Sequence, residues 1–213
     1  MPTTASMQKR AVIIPGNGCD EGPGGLDDCM WYPWMADSLR ALGYDIILSG
    51  FPEPVRATES VWKAYVQKLL SQCGDGSPLG KDTLVIGHSS GAACALRLME
   101  EHPIGACLLV SAYDSDMGDR LERESGYFNR PFDFEVMRRN TTPITTSSGE
   151  ETAVPKILQF HSKDDHLVPV EVARGLNDKL QCPYVEMAND GHFQDDEYEV
   201  FFTKMLQYGL LRK

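Results

Sequence analysis

The chemistry of this chain is read first from one serine, one histidine and one aspartate. Leu84-Val85-Ile86-Gly87-His88-Ser89-Ser90-Gly91-Ala92-Ala93 joins a short apolar, β-branched run to a helix-forming segment, with Ser89 centred between two glycines. A G-x-S-x-G sequence between strand and helix is a sharp turn that lifts a serine hydroxyl off the strand end, where it can attack a carbonyl. Glycine lacks a Cβ, so Gly87 and Gly91 let the turn close tightly and the helix pack near its neighbours. Ser90 is not centred, but its N–H lies at a helix N-terminus, a site suited to a developing oxyanion.

A serine hydroxyl is too weak an acid to attack unaided. It needs a base, and the base needs an orienting acid. On a strand–turn–helix elbow the chain order is serine, acid, histidine. Two histidines follow a plausible acid, His166 and His192, and His192 is preferred because it sits in the loop Gly191-His192-Phe193 after the last expected strand. His88, His102 and His161 come too early and read as elbow neighbour, helix-end cap and strand-end residue. For the acid, Asp165 has the spacing D-x-x-V-P within Ser162–Pro169, where Val168 and Pro169 anchor the loop. Asp164 is its neighbour, and Asp114 or Asp116 after the fourth strand are the alternatives. The second oxyanion donor is expected from the amide of Asn17 in Pro15-Gly16-Asn17-Gly18. That loop lacks both G-x-x-x-x-G-K-[ST] and G-x-G-x-x-G, and His161, Asp164, Asp165 and His166 lack ligand spacing, so no cofactor and no metal are expected.

These residues need a scaffold that brings distant loops together. The wholly apolar run 11–14 reads as a buried parallel strand, and 44–48, 83–86, 104–110, 157–160 and 184–187 read as five further strands. Helical periodicity or helix-forming composition marks 31–42, a segment from about 58 or 60, 90–101, 170–180 and about 196–206 between them. Alternating strands and helices predict an α/β fold, α/β-hydrolase-like, with a mostly parallel six-stranded sheet and helices on both faces. Active sites of such sheets lie beyond the carboxyl ends of the strands, where all the loops above fall. The chain reads as a single domain over 1–213, with a small cap or insertion at about 113–153 ending in the Thr/Ser-rich run 141–152.

Composition narrows the partners. A net charge of −11 over 213 residues repels phosphate backbones and anionic membranes, so no nucleic acid and no membrane partner is expected. The first ten residues carry no apolar leader core, no run approaches membrane-spanning length, and the six cysteines form no C-x-x-C pair. These features predict reduced thiols and a cytoplasmic protein.

Pro15–Gly18, Trp31-Tyr32 with Trp34, Gly87–Ala92, Val110-Ser111-Ala112-Tyr113, Ser125-Gly126-Tyr127-Phe128 with Arg130-Pro131, and Gly191–Phe193 together resemble the retinoblastoma-binding protein 9 family of small serine hydrolases. The resemblance spans nearly the whole chain. It implies a compact α/β-hydrolase lacking the usual first two strands, with Ser89, Asp165 and His192 as its triad. It does not fix a substrate. The L-x-C-x-E motif linked to retinoblastoma-protein binding is absent, since the matching stretch reads Leu70-Ser71-Gln72-Cys73-Gly74-Asp75, so that partner is not carried over. The run 141–152 also looks longer than is usual for the family.

The leading expectation is a serine hydrolase that cleaves a small carboxylic ester or amide through an acyl-enzyme. The alternative is a non-catalytic protein-binding module on the same fold, since fold alone does not decide function. Trp31, Phe128 and Phe193 are expected to contact substrate, although each reads equally well as core packing.

Overall fold

The computed structural model describes residues 9–19, 25–141 and 156–211. In chain order the elements are β1 (Arg10–Ile14), α1 (Tyr32–Ala41), β2 (Asp45–Ile47), α2 (Glu59–Ser71), β3 (Thr83–His88), α3 (Ser90–Glu101), β4 (Ala106–Val110), α4 (Arg120–Ser125), α5 (Phe134–Thr141), β5 (Ile157–Ser162), α6 (Val170–Leu180), β6 (Tyr184–Met187) and α7 (Glu199–Gln207). The six strands form one sheet in the order β2-β1-β3-β4-β5-β6, and every neighbouring pair is parallel.

The apolar runs fill two faces because successive strand side chains point to opposite sides. Ala11, Ile13, Leu84, Ile86 and Leu108 pack with Tyr32, Met35 and Leu39 of α1 and with Phe201 and Met205 of α7. Val12, Ile14, Val85, Cys107 and Leu109 pack on the other side with α2, α3, α5 and α6 through Trp62, Val66, Leu96, Met137 and Leu176. Burying each large aliphatic or aromatic side chain contributes about 1.5–3 kcal/mol, so two filled faces hold the sheet between its helices.

Several boundaries shift from the expected ones for local reasons. β3 continues through His88, paired with Val110. β4 starts at Ala106, because the Ile104 amide instead donates to the Asn140 carbonyl. α7 begins at Glu199, after a turn in which the Asp195 amide donates to Tyr198 Oη.

The stretch read as a cap carries α4 and α5. Asp119 caps α4 by accepting from the Leu121 and Glu122 amides at 2.8 and 3.0 Å. The Thr/Ser-rich run beyond Thr141 lies outside the described residues. Arg97, fully buried on α3, donates to the carbonyls of Tyr127, Arg130 and Pro131 and so ties the segment between α4 and α5 to the helix that follows Ser89. Among the described residues no helix is long and apolar enough to cross a membrane.

Candidate active site

The elbow geometry follows from its glycines. A Cβ on Gly87 would lie 2.6 Å from the Gly91 carbonyl oxygen, and one on Gly91 would lie 2.2 Å from that of Ile14. Only glycine lets α3 start this close to β1 and β3. Ser89 stands between them at φ 55 and ψ −122, a conformation that costs a side-chain-bearing residue strain of order 1–3 kcal/mol. The Ser89 amide is tied to the Val110 carbonyl at 2.9 Å. Ser90 opens α3, so its N–H is among the first-turn donors that have no partner within the helix.

The loops after β3, β4, β5 and β6 converge at the carboxyl ends of the strands. Ser111, after β4, donates its hydroxyl to Asp165 Oδ2 at 2.8 Å. Asp165, after β5, accepts through Oδ1 from the Leu167 and Val168 amides, both at 3.0 Å. His192, after β6, places Nδ1 2.9 Å from both Asp165 oxygens. Burial pushes the Asp165 carboxyl upward, but the hydrogen bond and charge of His192, the Val168 amide and Ser111 outweigh it and hold the group down at about 2. A carboxylate only accepts, so His192 Nδ1 carries the proton and Nε2 is left as the basic nitrogen.

The other acids and histidines are engaged elsewhere. Asp164, exposed, accepts from Ser162 Oγ at 2.5 Å and from the Gly191 amide at 2.9 Å, which fixes the turn before His192. Asp114 pairs with Lys179 at 2.5 Å, and Asp116 pairs with Arg123 at 2.8 Å. His166 is exposed, its ring 6.5 Å from that of His192. His161 is buried and donates through Nε2 to the Val168 carbonyl, bracing the Asp165 loop, and burial lowers its imidazole below the ordinary range.

A cavity of about 240 Å³ opens at Ser89, lined also by Asn17, Tyr113, Met117, Leu121 and Glu122. Sequence reasoning missed Glu122. Its Oε1 accepts from the Ser90 hydroxyl at 3.3 Å, while Oε2 is buried with no partner among the described residues. Burial raises this carboxyl above the usual range, with Tyr113 and Ser90 pulling partly against it.

The aromatics expected to contact substrate fall in two different places. Trp31 and Phe193 are fully buried in the packing between α1, α7 and the sheet, and Phe128 lines a separate cavity. Large flat side chains fill the space beneath the loops, and a Trp N–H buried there requires an acceptor. Trp31 Nε1 finds it in the Phe193 carbonyl at 3.1 Å, so this residue braces the His192 turn from below.

Two further side chains went unassigned in the sequence. The Gly16 amide donates to Tyr32 Oη at 3.0 Å, Tyr32 Oη meets His88 Nδ1 at 2.7 Å, and His88 Nε2 meets the His192 carbonyl at 2.9 Å. Burial, reinforced by the charge of His192, pushes the His88 imidazole down to about 3. Among the described residues no group of three or more His, Cys, Asp or Glu side chains is arranged to hold a metal ion.

Known proteins resemble this chain in sequence and in fold. A family profile described as serine hydrolase matches residues 22–202. The serine hydrolase RBBP9 of Rattus norvegicus is 36% identical over 190 residues, covering 89% of each chain. The ydeN gene product of Bacillus subtilis is 25% identical over 171 residues, 78% of this chain and 80% of that one. Its crystal structure superposes with a TM-score of 0.73 at 19% identity, covering 95% of this chain and 99% of that one. A thermophilic esterase from Thermogutta terrifontis gives a TM-score of 0.58 at 15% identity, over 98% of this chain and 82% of that one. At these identities the two structures speak for the fold, which is that of a compact α/β-hydrolase.

Proposed function

The chain belongs to the serine hydrolase family, and from that premise we propose that it cleaves a small carboxylic ester or amide through an acyl-enzyme intermediate. Ser89 attacks the carbonyl, and His192 Nε2 takes its proton. Asp165 holds the imidazole in the tautomer that leaves Nε2 basic and stabilises the imidazolium that forms. The amides of Ser90 and Asn17 receive the oxyanion. His192 then returns the proton to the leaving alcohol or amine, and water repeats the sequence to release the acid. No step requires a cofactor.

The observation that carries this reading is the pairing of His192 Nδ1 with both oxygens of Asp165 at 2.9 Å, beside a strained Ser89 that opens onto a cavity. The cavity's volume of about 240 Å³ suits a small acyl group. Met117, Leu121 and Glu122 come from the stretch around α4, so that stretch acts as the cap over the cleft. A net charge of −11 favours a small molecule over nucleic acid as partner, and the retinoblastoma-type motif is absent.

The test is labelling with a fluorophosphonate, which reports an activated serine. Wild type should label at Ser89, Ser89→Ala should not label at all, and Ser90→Ala should still label. Turnover of any ester found should fall on the order of 10⁶-fold in Ser89→Ala. An adduct on another residue would move the nucleophile and overturn the assignment.

A further inference from the structure

The two sides of the site are joined by one buried hydrogen-bond relay, and its proton positions can be deduced. The His192 carbonyl only accepts, so His88 Nε2, 2.9 Å away, carries a proton and donates it. A neutral imidazole has one donor nitrogen, so Nδ1 accepts, and the Tyr32 hydroxyl at 2.7 Å is its donor. Tyr32 Oη in turn accepts from the Gly16 amide at 3.0 Å. All three bonds run in one direction, from the glycine loop through Tyr32 and His88 to the peptide of His192.

We propose that Tyr32 and His88 are positioning residues that hold the oxyanion loop and the base loop in register with each other. This inference rests on the triad and oxyanion donors of the preceding reading. Neither side chain lines the Ser89 cavity, and both are buried, at 0% and 1% exposure, so they act through the loops they hold. The Gly16 φ and ψ set the direction of the Asn17 N–H, and glycine is the residue least able to fix its own dihedrals. The Tyr32 hydroxyl supplies the restraint that Gly16 lacks. The same relay ends on the His192 carbonyl, one residue from the Phe193 carbonyl that Trp31 holds. His88 is next in sequence to Ser89, so nucleophile, base and oxyanion donor are referred to one rigid group. Burial keeps that imidazole neutral, at about 3, so its donor and acceptor roles do not change near neutral pH.

The consequence is a defect in transition-state binding with little change in substrate binding. Displacing a catalytic group by about 1 Å can cost about 10²-fold in rate. Tyr32→Phe keeps the ring and removes all three hydroxyl contacts, those with Gly16 and His88 and a longer one with Cys19 Sγ at 3.7 Å. Its kcat per active site, counted by fluorophosphonate titration, should fall about 10- to 100-fold with KM held within about twofold. An alkyl boronic acid forms a tetrahedral adduct on the serine with an oxygen in the oxyanion site, so its affinity should fall by a similar factor.

His88→Gln can still donate to the His192 carbonyl but loses the acceptor for Tyr32, whereas His88→Asn keeps that acceptor and loses the donor. Each should be impaired. The Tyr32→Phe/His88→Gln double variant should be no worse than Tyr32→Phe, because both remove the same link. An unchanged kcat per titrated site, additive losses in the double variant, or a loss of kcat with full boronate affinity would overturn the relay. Should Tyr32→Phe yield no titratable sites, the two His88 variants decide by the same criteria. Labelling of wild type away from Ser89 would overturn the triad and the relay together. Labelling at Ser89 with an unaffected Tyr32→Phe overturns the relay alone.

Discussion

Two cavities flank one aromatic pair, and their polar groups are employed differently. Tyr113, on the Ser89 cavity, stacks at 5.5 Å on Phe128, which lines a cavity of about 500 Å³ with Phe132 and Phe134. The larger cavity is chemically quiet. Lys179 is paired with Asp114 at 2.5 Å, and Arg130 makes a two-pronged contact with Glu59 at 2.9 and 2.7 Å. Arg97 sits 3.6 Å above the Phe132 ring with its donors occupied by backbone carbonyls and Glu100. The smaller cavity, at about 240 Å³, holds the strained Ser89 and a buried Glu122 oxygen that has no partner among the described residues. Volume shows where a ligand fits. Strain and unused hydrogen-bonding capacity show where the fold has given up stability for chemistry.

After loss of the nucleophile itself, the largest effect should come from the acid behind His192. Replacing the aspartate that orients a catalytic histidine by asparagine can cost about 10⁴ in kcat, because the imidazole then settles in the wrong tautomer. Asp165→Asn should show a loss of that order, while Asp164→Asn should stay within about tenfold, because an amide oxygen can still accept from Ser162 and Gly191. Equal losses would mean that the acid lies elsewhere. The same carboxylate has a stability signature. Its pKa is depressed in the fold to about 2, so its contribution is present above the unfolded value and is lost as pH falls through about 2. Urea unfolding from pH 5 down to pH 2 should therefore show a loss of about 2 kcal/mol in wild type that Asp165→Asn lacks.

A second pair of variants sets one cavity against the other with smaller effects. Leu121→Trp fills space beside Ser89 and should raise KM for a small ester about tenfold or more, within the 10–200-fold range that changes in pocket shape produce. Phe132→Leu reshapes the larger cavity. Per titrated site, its turnover of the same ester should stay within about twofold of wild type, the range of a substitution that touches no reacting group. A loss in Phe132→Leu as large as that in Leu121→Trp would make the two cavities parts of one substrate site, and the contrast between them would fail.

The sheet was legible because its signal is local. Runs such as Ala11–Ile14 and Leu84–Ile86 are apolar on both faces, and a covered parallel sheet accepts them. The elbow was legible for a similar reason, since Gly87, Ser89 and Gly91 lie within five residues. Asp165 stood out by its spacing to Val168, and the fold sets that carboxylate against His192. What escaped was held by contacts with no local pattern. Ser111 meets Asp165 across 54 positions, Tyr32 meets His88 across 56, and His88 meets His192 across 104. His88 therefore read as a mere neighbour of the elbow. Trp31 and Phe193 were ambiguous for the opposite reason. Their size suits a pocket or a core equally, and only the packing of α1 against α7 decides for the core.

The smallest effect tests whether the partnerless oxygen of Glu122 is unused. Burial raises this carboxyl above the ordinary range, opposed by its polar neighbours Tyr113 and Ser90 and helped by the charges of Asp119 and Asp116. An acid whose pKa is raised on folding stabilises the fold while protonated, below its unfolded value, and loses that contribution as pH rises through its folded value. Wild type therefore carries a cost at neutral pH that it does not carry at pH 4. Glu122→Gln keeps the shape, stays neutral throughout, and retains an oxygen for the Ser90 hydroxyl. Its thermal midpoint should match wild type at pH 4 and exceed it at pH 7.5 by a few degrees at most, the shift expected for about 1 kcal/mol in a chain of this size. A lower midpoint at pH 7.5 would mean that the charged carboxylate is already satisfied in the free protein. The smaller cavity would then be as fully neutralised as the larger one, and Ser89 alone would distinguish them.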